Sequence, residues 1–138
     1  MKFPEEYIEY GRFKLHSGQT SDTFYDINAL LTNPLYFLYV LHNLPFSAHY
    51  VGIATGGALM AVAVHTENPA SKLSIIKDGV LLGEKPIKPY ALFDDVVKTE
   101  NSLLEAISLA GSEPEKIIVA VDRRTEKRSL IIKSIFEI

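Results

Sequence analysis

The sequence predicts an α/β domain, a doubly wound and mostly parallel sheet with flanking helices and a small N-terminal hood. Short continuous apolar runs at YVGIA (50–54), KLSIIK (72–77), YALF (90–93) and KIIVAVD (116–122) read as strands buried on both faces. Small helical segments separate three of them, as in sheets whose crossovers cover both sides. With 138 residues the chain has material for one core and not for two. A single domain is therefore expected, with residues 1–33 as the hood and 34–138 as the α/β core.

Taken in order, residues 4–10 suit a short helix opened by Pro4. Residues 12–16 and 23–28 read as a hairpin outside the main sheet, with SGQTSD supplying turn formers. Asn33-Pro34 starts a helix that ends before Pro45. Strand 50–54 turns through Thr55-Gly56-Gly57 into a small-residue helix over 58–65. After strand 72–77, the glycines and prolines of KDGVLLGEKPIKP imply irregular backbone, with Val80, Leu81 and Leu82 suited to packing. Strand 90–93 leads to a helix over 102–110, where Ser102 and Glu105 fit a capping box. Residues 116–122 and 130–138 are the last two strands.

A net charge of -3 argues against nonspecific nucleic-acid binding, and no apolar run is long enough to span a bilayer. The chain has no cysteine, which excludes a disulfide scaffold and a thiolate nucleophile. With an acidic N-terminus that lacks an apolar signal region, a cytoplasmic protein is expected. His42, His49 and His65 read as structural, and their spacing does not suggest a zinc site. The basic cluster DRRTEKR is either a solvated loop or a source of an anion-binding arginine.

In such folds ligands bind beyond the carboxyl ends of the strands. ATGG, DDVVKTENS and DRR converge there. The glycines of ATGG serve either close helix–strand packing or exposure of amides to a phosphate. Asp94 and Asp95 repel each other, so together they call for cations, donors or water. Either one acid stands in solvent while the other accepts loop amides, or the pair suits vicinal hydroxyls or magnesium carried on a polyphosphate. The helix behind them offers unpaired N–H groups to an anion. A sugar bearing hydroxyls and a phosphate satisfies both features.

These segments carry a resemblance. FKLHSGQTSDTFYD, VGIATGGALMAVAV, LFDDVVKTENS, VAVDRR and LIIKSIFEI resemble, in order, the successive motifs of type I phosphoribosyltransferases, most of all the orotate-specific branch. The resemblance implies transfer of phosphoribosyl from phosphoribosyl pyrophosphate to a planar, orotate-like base in pyrimidine nucleotide synthesis. It also implies magnesium held mainly by the pyrophosphate ligand, and a homodimer. Residue by residue, Asp94 and Asp95 would contact the ribose hydroxyls, with Lys77 a third catalytic candidate. Lys98, Thr99, Glu100, Asn101 and Ser102 would line the 5'-phosphate. Ala54, Thr55, Gly56 and Gly57 would lie against the pyrophosphate. His16, Phe24 and Tyr25 would border the base, and Arg123 would pair with its carboxylate. Apart from the resemblance, the tyrosines and phenylalanines read most simply as core and rim, with a dimer surface the alternative for Tyr36, Phe37 and Tyr39.

Two segments depart from that pattern. Glu100 stands where the family's phosphate loop has glycine. It either brings a like charge toward the phosphate, so that Glu100→Gly strengthens binding, or sits on the helix N-terminus in place of an anion. The segment IIKDGVLLGEK lacks the arginine and histidine of the family's catalytic loop. The alternative function is accordingly a catalytically inactive relative that binds a ligand or a partner.

Overall fold

The computed structural model describes residues 1–15, 18–126 and 129–138. Among them, β1 (Ile8–Lys14) and β2 (Thr20–Tyr25) form an antiparallel hairpin apart from the main sheet. The main sheet is six-stranded, in the order β5-β4-β3-β6-β7-β8. Its strands are β3 (His49–Ile53), β4 (Lys72–Lys77), β5 (Val80–Leu82), β6 (Tyr90–Val97), β7 (Lys116–Asp122) and β8 (Lys133–Phe136). All neighbours run parallel except β4 and β5. The helices are α1 (Ile27–Leu30), α2 (Pro34–His42), α3 (Gly56–Glu67) and α4 (Asn101–Ala110).

Period-two alternation along the central strands divides the core between two faces. Tyr50, Phe93 and Ala120 point to one face, where they meet Leu30 of α1, Val40 of α2 and Met60 of α3. Val51, Leu92 and Val119 point to the other, against Leu103 and Ala106 of α4. Both faces are thus covered, as the apolar runs require. His49 is fully buried in β3, with Nε2 2.6 Å from Ser74 Oγ.

Local signals fix the helix ends. Asn33 caps α2 by accepting from Leu35 N–H (3.1 Å), and Pro34 opens the helix. Gly111 ends α4 at φ +78°, donating its N–H to the Ile107 and Ser108 carbonyls.

Several expectations need correction. Residues 4–10 form only a 3-10 turn over Glu5–Tyr7, because from Ile8 onward the backbone pairs with β2. The second strand stops at Tyr25, and Asp26 instead caps α1 by accepting from Ala29 N–H (3.0 Å). The region after β4 is more regular than expected. Asp78 and Gly79 both have positive φ, which makes a two-residue hairpin turn into β5. In β5 only Leu81 packs on the core, while Val80 and Leu82 are exposed. The capping box does not form. Glu100 is the N-cap of α4 and makes no side-chain cap bond. The last strand is confined to Lys133–Phe136.

Candidate active site

Pairing of β3 with β6 ends at Gly52 and Phe93, whereas β6 pairs with β7 as far as Val97 and Asp122. Asp94 and Asp95 therefore lie just past the end of β3, inside a strand still held on its other side. Asp94 is 7% exposed, and Asp95 is half-buried. Asp94 Oδ1 accepts from the Asp95 amide (2.8 Å), and Asp95 Oδ1 from the Val96 amide (2.7 Å). Burial first, and then the adjacent Asp95 charge, push the Asp94 carboxyl well above the usual aspartate range. Neither carboxylate has a cationic partner among the described residues.

The glycines of ATGG bring α3 against this strand. A Cβ on Gly56 would lie 2.6 Å from Asp95 Cβ, and one on Gly57 would collide with the Phe93 carbonyl. Close packing is thus a demand these glycines meet. The Ala54–Thr55 peptide is cis.

Two adjoining cavities open on Asp95, and one of them also on Asp94. The smaller, about 240 Å³, lies between Phe24 and Tyr25 of the hairpin, Lys98 and Thr99 of the turn after β6, Ser102 in the first turn of α4, and Arg123. The larger, about 510 Å³, is bordered by Ala54, Thr55, Lys77 and Asp94. Asp95, Val96 and Ser102 border both. A still larger cavity of about 730 Å³, by Lys116 and Leu130, includes none of the expected site residues.

Arg123 is set by long-range contacts. Its Nη2 donates to Thr23 Oγ1 (2.8 Å) and Ser21 Oγ (3.2 Å), and its guanidinium carbon lies 5.0 Å from the centre of the Tyr25 ring. The Arg123 amide donates to the Val97 carbonyl (2.7 Å). Hairpin, aspartate strand and the end of β7 thus meet at one residue.

Glu100 requires a correction. Its carboxylate neither faces an anion site nor caps α4. It is 5% exposed and accepts from Arg124 Nη1 (2.6 Å), the Leu130 amide (2.9 Å) and Ser129 Oγ. Burial alone would push this carboxyl up, but the bonds from Ser129, Leu130 and Arg124 outweigh it and hold it below the usual range. Glu100→Gly would therefore strip Arg124 of a buried partner, not relieve a repulsion. Neither Glu100, Asn101, Gly56 nor Gly57 lines the two cavities. His16 lies outside the described residues.

Sequence reasoning missed Lys14, which borders the smaller cavity, and the hydroxyls of Ser21 and Thr23. Alternation along β2 was their available signal, since it puts Ser21, Thr23 and Tyr25 on one side. The Glu100–Arg124 pair had no local signal.

No protein-family model matches the chain. Orotate phosphoribosyltransferase of Methanoculleus marisnigri is 28% identical over 137 residues, covering 90% of this chain and 81% of that protein. The Pyrococcus furiosus protein of the same name is 29% identical over 157 residues, covering 100% and 86%. Among solved structures, a phosphoribosyltransferase from Corynebacterium diphtheriae superposes with a TM-score of 0.72 at 15% identity, over 94% of this chain and 88% of that one. Orotate phosphoribosyltransferase from Aeropyrum pernix superposes with a TM-score of 0.69 at 24% identity, over 86% and 77%. The chain has the type I phosphoribosyltransferase fold.

The likeness to orotate phosphoribosyltransferases read from the motifs extends along nearly the whole chain. Within this phosphoribosyltransferase fold, the segment with the altered catalytic-loop sequence is a hairpin. Lys77 ends β4 beside the larger cavity, and β5 follows at the sheet edge.

Proposed function

We propose that the chain transfers the phosphoribosyl group of phosphoribosyl pyrophosphate to a planar, acidic, orotate-like base. The observation that carries this reading is the sharing of Asp95 between two cavities, one reaching Arg123 and the hairpin aromatics, the other reaching Ala54, Thr55 and Lys77. A ribose over Asp95 has its base on one side and its diphosphate on the other.

In this arrangement the aspartates accept hydrogen bonds from the ribose hydroxyls. Lys98, Thr99 and Ser102 take the 5'-phosphate, helped by the unpaired first amides of α4. Arg123 presents a planar fork to the base carboxylate, with Phe24 and Tyr25 beside the ring. A ring nitrogen bonds to C1 as the C1–oxygen bond breaks and pyrophosphate leaves with the electron pair. Positive charge developing on the ribose is stabilised by the nearby carboxylates, and catalysis comes mainly from positioning and electrostatics.

Asp94 and Asp95 also offer hard oxygen donors that suit magnesium. No group of three or more metal-ligating carboxylates or histidines occurs among the described residues. The ion would arrive on the diphosphate, where it would neutralise leaving-group charge. Such charged substrates do not cross membranes, which supports a cytoplasmic setting.

Magnesium is expected to strengthen phosphoribosyl pyrophosphate binding, as calorimetry with and without the ion will show. Pyrophosphate release should follow addition of orotate or a related base. Equal affinity in both titrations would remove magnesium from the scheme. Tight binding with no release across a panel of bases would favour the inactive relative.

A homodimer belongs to the same proposal, through a face that keeps Phe37 of the residues expected there but not Tyr36 and Tyr39. Tyr36 and Tyr39 turn inward onto Tyr7 and Phe136, whereas Leu35 and Leu38 are exposed. Leu59 and Val62 of α3 are exposed beside a mostly apolar cavity of about 470 Å³. Sedimentation at micromolar concentration is expected to give twice the chain mass, and Leu59→Glu to give the single chain. A monomeric native protein overturns this part.

A further inference from the structure

The acid of the turn, Glu100, borders neither cavity, and Arg124 holds it together with Ser129 and Leu130. Arg124 Nε and Nη2 grip Asp122 at the end of β7, at 3.0 Å to Oδ1 and 2.8 Å to Oδ2. Its Nη1 donates both to Glu100 Oε2 (2.6 Å) and to the Leu130 carbonyl (2.8 Å). Glu100 is filled on both oxygens, since Ser129 Oγ donates to Oε1 and the Leu130 amide to Oε2. Meanwhile the Glu100 carbonyl accepts the first helical bond of α4, from Leu104 N–H (2.9 Å). The residue that fixes where α4 begins is therefore locked through its side chain to β7 and to the segment before β8.

Arg123 and Arg124 are consecutive but diverge. The first reaches the hairpin hydroxyls and borders the smaller cavity, while the second reaches Glu100 behind the turn. One two-residue segment thus holds the base side of the site and the back of the phosphate side in fixed relation. A glycine-rich turn would define its curvature by backbone freedom. This turn has Lys98, Thr99, Glu100 and Asn101 instead, and its shape is imposed from behind.

We propose that Glu100 and Arg124 are positioning residues for the phosphate-binding turn: their buried, hydrogen-bonded pair withdraws the turn's only acid from the anion and aims Lys98, Thr99, Ser102 and the α4 amides at it. The inference rests on the reaction proposed above. Neither residue borders the two cavities.

The test is calorimetry of the native chain, Glu100→Gln and Ser129→Ala with ribose 5-phosphate and, separately, with orotate. The temperature is set by each variant's melting curve so that all are folded. Ribose 5-phosphate binding is expected to weaken about tenfold or more in Glu100→Gln and about threefold in Ser129→Ala, with orotate affinity unchanged. A folded Glu100→Gln with native ribose 5-phosphate affinity overturns the inference, as does an equal loss for both ligands. Should Glu100→Gln not fold, an unchanged affinity in Ser129→Ala overturns it. A native chain that binds neither ligand overturns the reaction itself and this inference with it, which distinguishes the two failures.

Discussion

Gly57→Ala is expected to be among the most destabilising single changes in this chain. A Cβ at this position would meet the Phe93 carbonyl oxygen, with the Phe93 carbonyl carbon 2.8 Å away and Asp94 Cα 2.9 Å away. All three are backbone atoms of the central strand β6, so no rotamer change can make room. From the other side, a Cβ on Gly52 would lie 2.6 Å from Ala58 Cα. The helix would have to retreat from both strands, which would loosen Met60 and Ala61, now 1% and 0% exposed. Overpacking of this kind costs about 3 kcal/mol or more, against a typical total stability of about 5–15 kcal/mol. Urea unfolding, or soluble yield where no transition is measurable, reads the effect. Gly11→Ala is the control, because its Cβ would only touch the Phe13 ring at 3.4 Å. A Gly57→Ala midpoint equal to the native one would mean that α3 can shift freely, contrary to this packing.

The sheet was legible because its signal is local. Strands buried on both faces need continuous apolar runs, and 72–77 and 116–122 match β4 and β7. The carboxyl-end rule then placed Asp95, Lys98 and Arg123 in one neighbourhood. What failed was set by contacts far along the chain. Residues 8–10 have helical neighbours in sequence but a strand partner in β2. Glu100 looked like a defect in a phosphate turn because Arg124, its partner, lies 24 residues away. Two misses were avoidable. Asp26 before Ile27 is an ordinary helix cap, and Asp78-Gly79 between apolar residues is a strong hairpin signal.

Asp94→Asn and Asp95→Asn are expected to respond in opposite ways although the residues are adjacent. Asp94 is buried with no cationic partner among the described residues, and its folded carboxyl is pushed well above its ordinary value, first by burial and then by Asp95. A group raised in the folded state contributes stability at pH below its unfolded value of about 4. That contribution is lost as the pH climbs through the raised folded value. At neutral pH the native protein therefore bears the cost of keeping this carboxyl in a site that disfavours its charged form. Asparagine removes the charge and keeps an oxygen that can accept from the Asp95 amide. Asp94→Asn should be more stable at pH 7.5 by about 0.5–2 kcal/mol, with the gain shrinking as the pH is lowered toward 4. Asp95 is half-buried and borders both cavities, so Asp95→Asn should change stability little. It should instead weaken phosphoribosyl pyrophosphate binding about tenfold or more, about 1.4 kcal/mol per power of ten. Denaturant titrations at several pH values, paired with calorimetry, separate the two effects. If Asp94→Asn proves less stable than the native chain at pH 7.5, its carboxylate is supported by interactions that outweigh its burial. If Asp95→Asn binds as tightly as native, the sugar does not lie over Asp95, and the shared wall of the two cavities is not where the ribose sits.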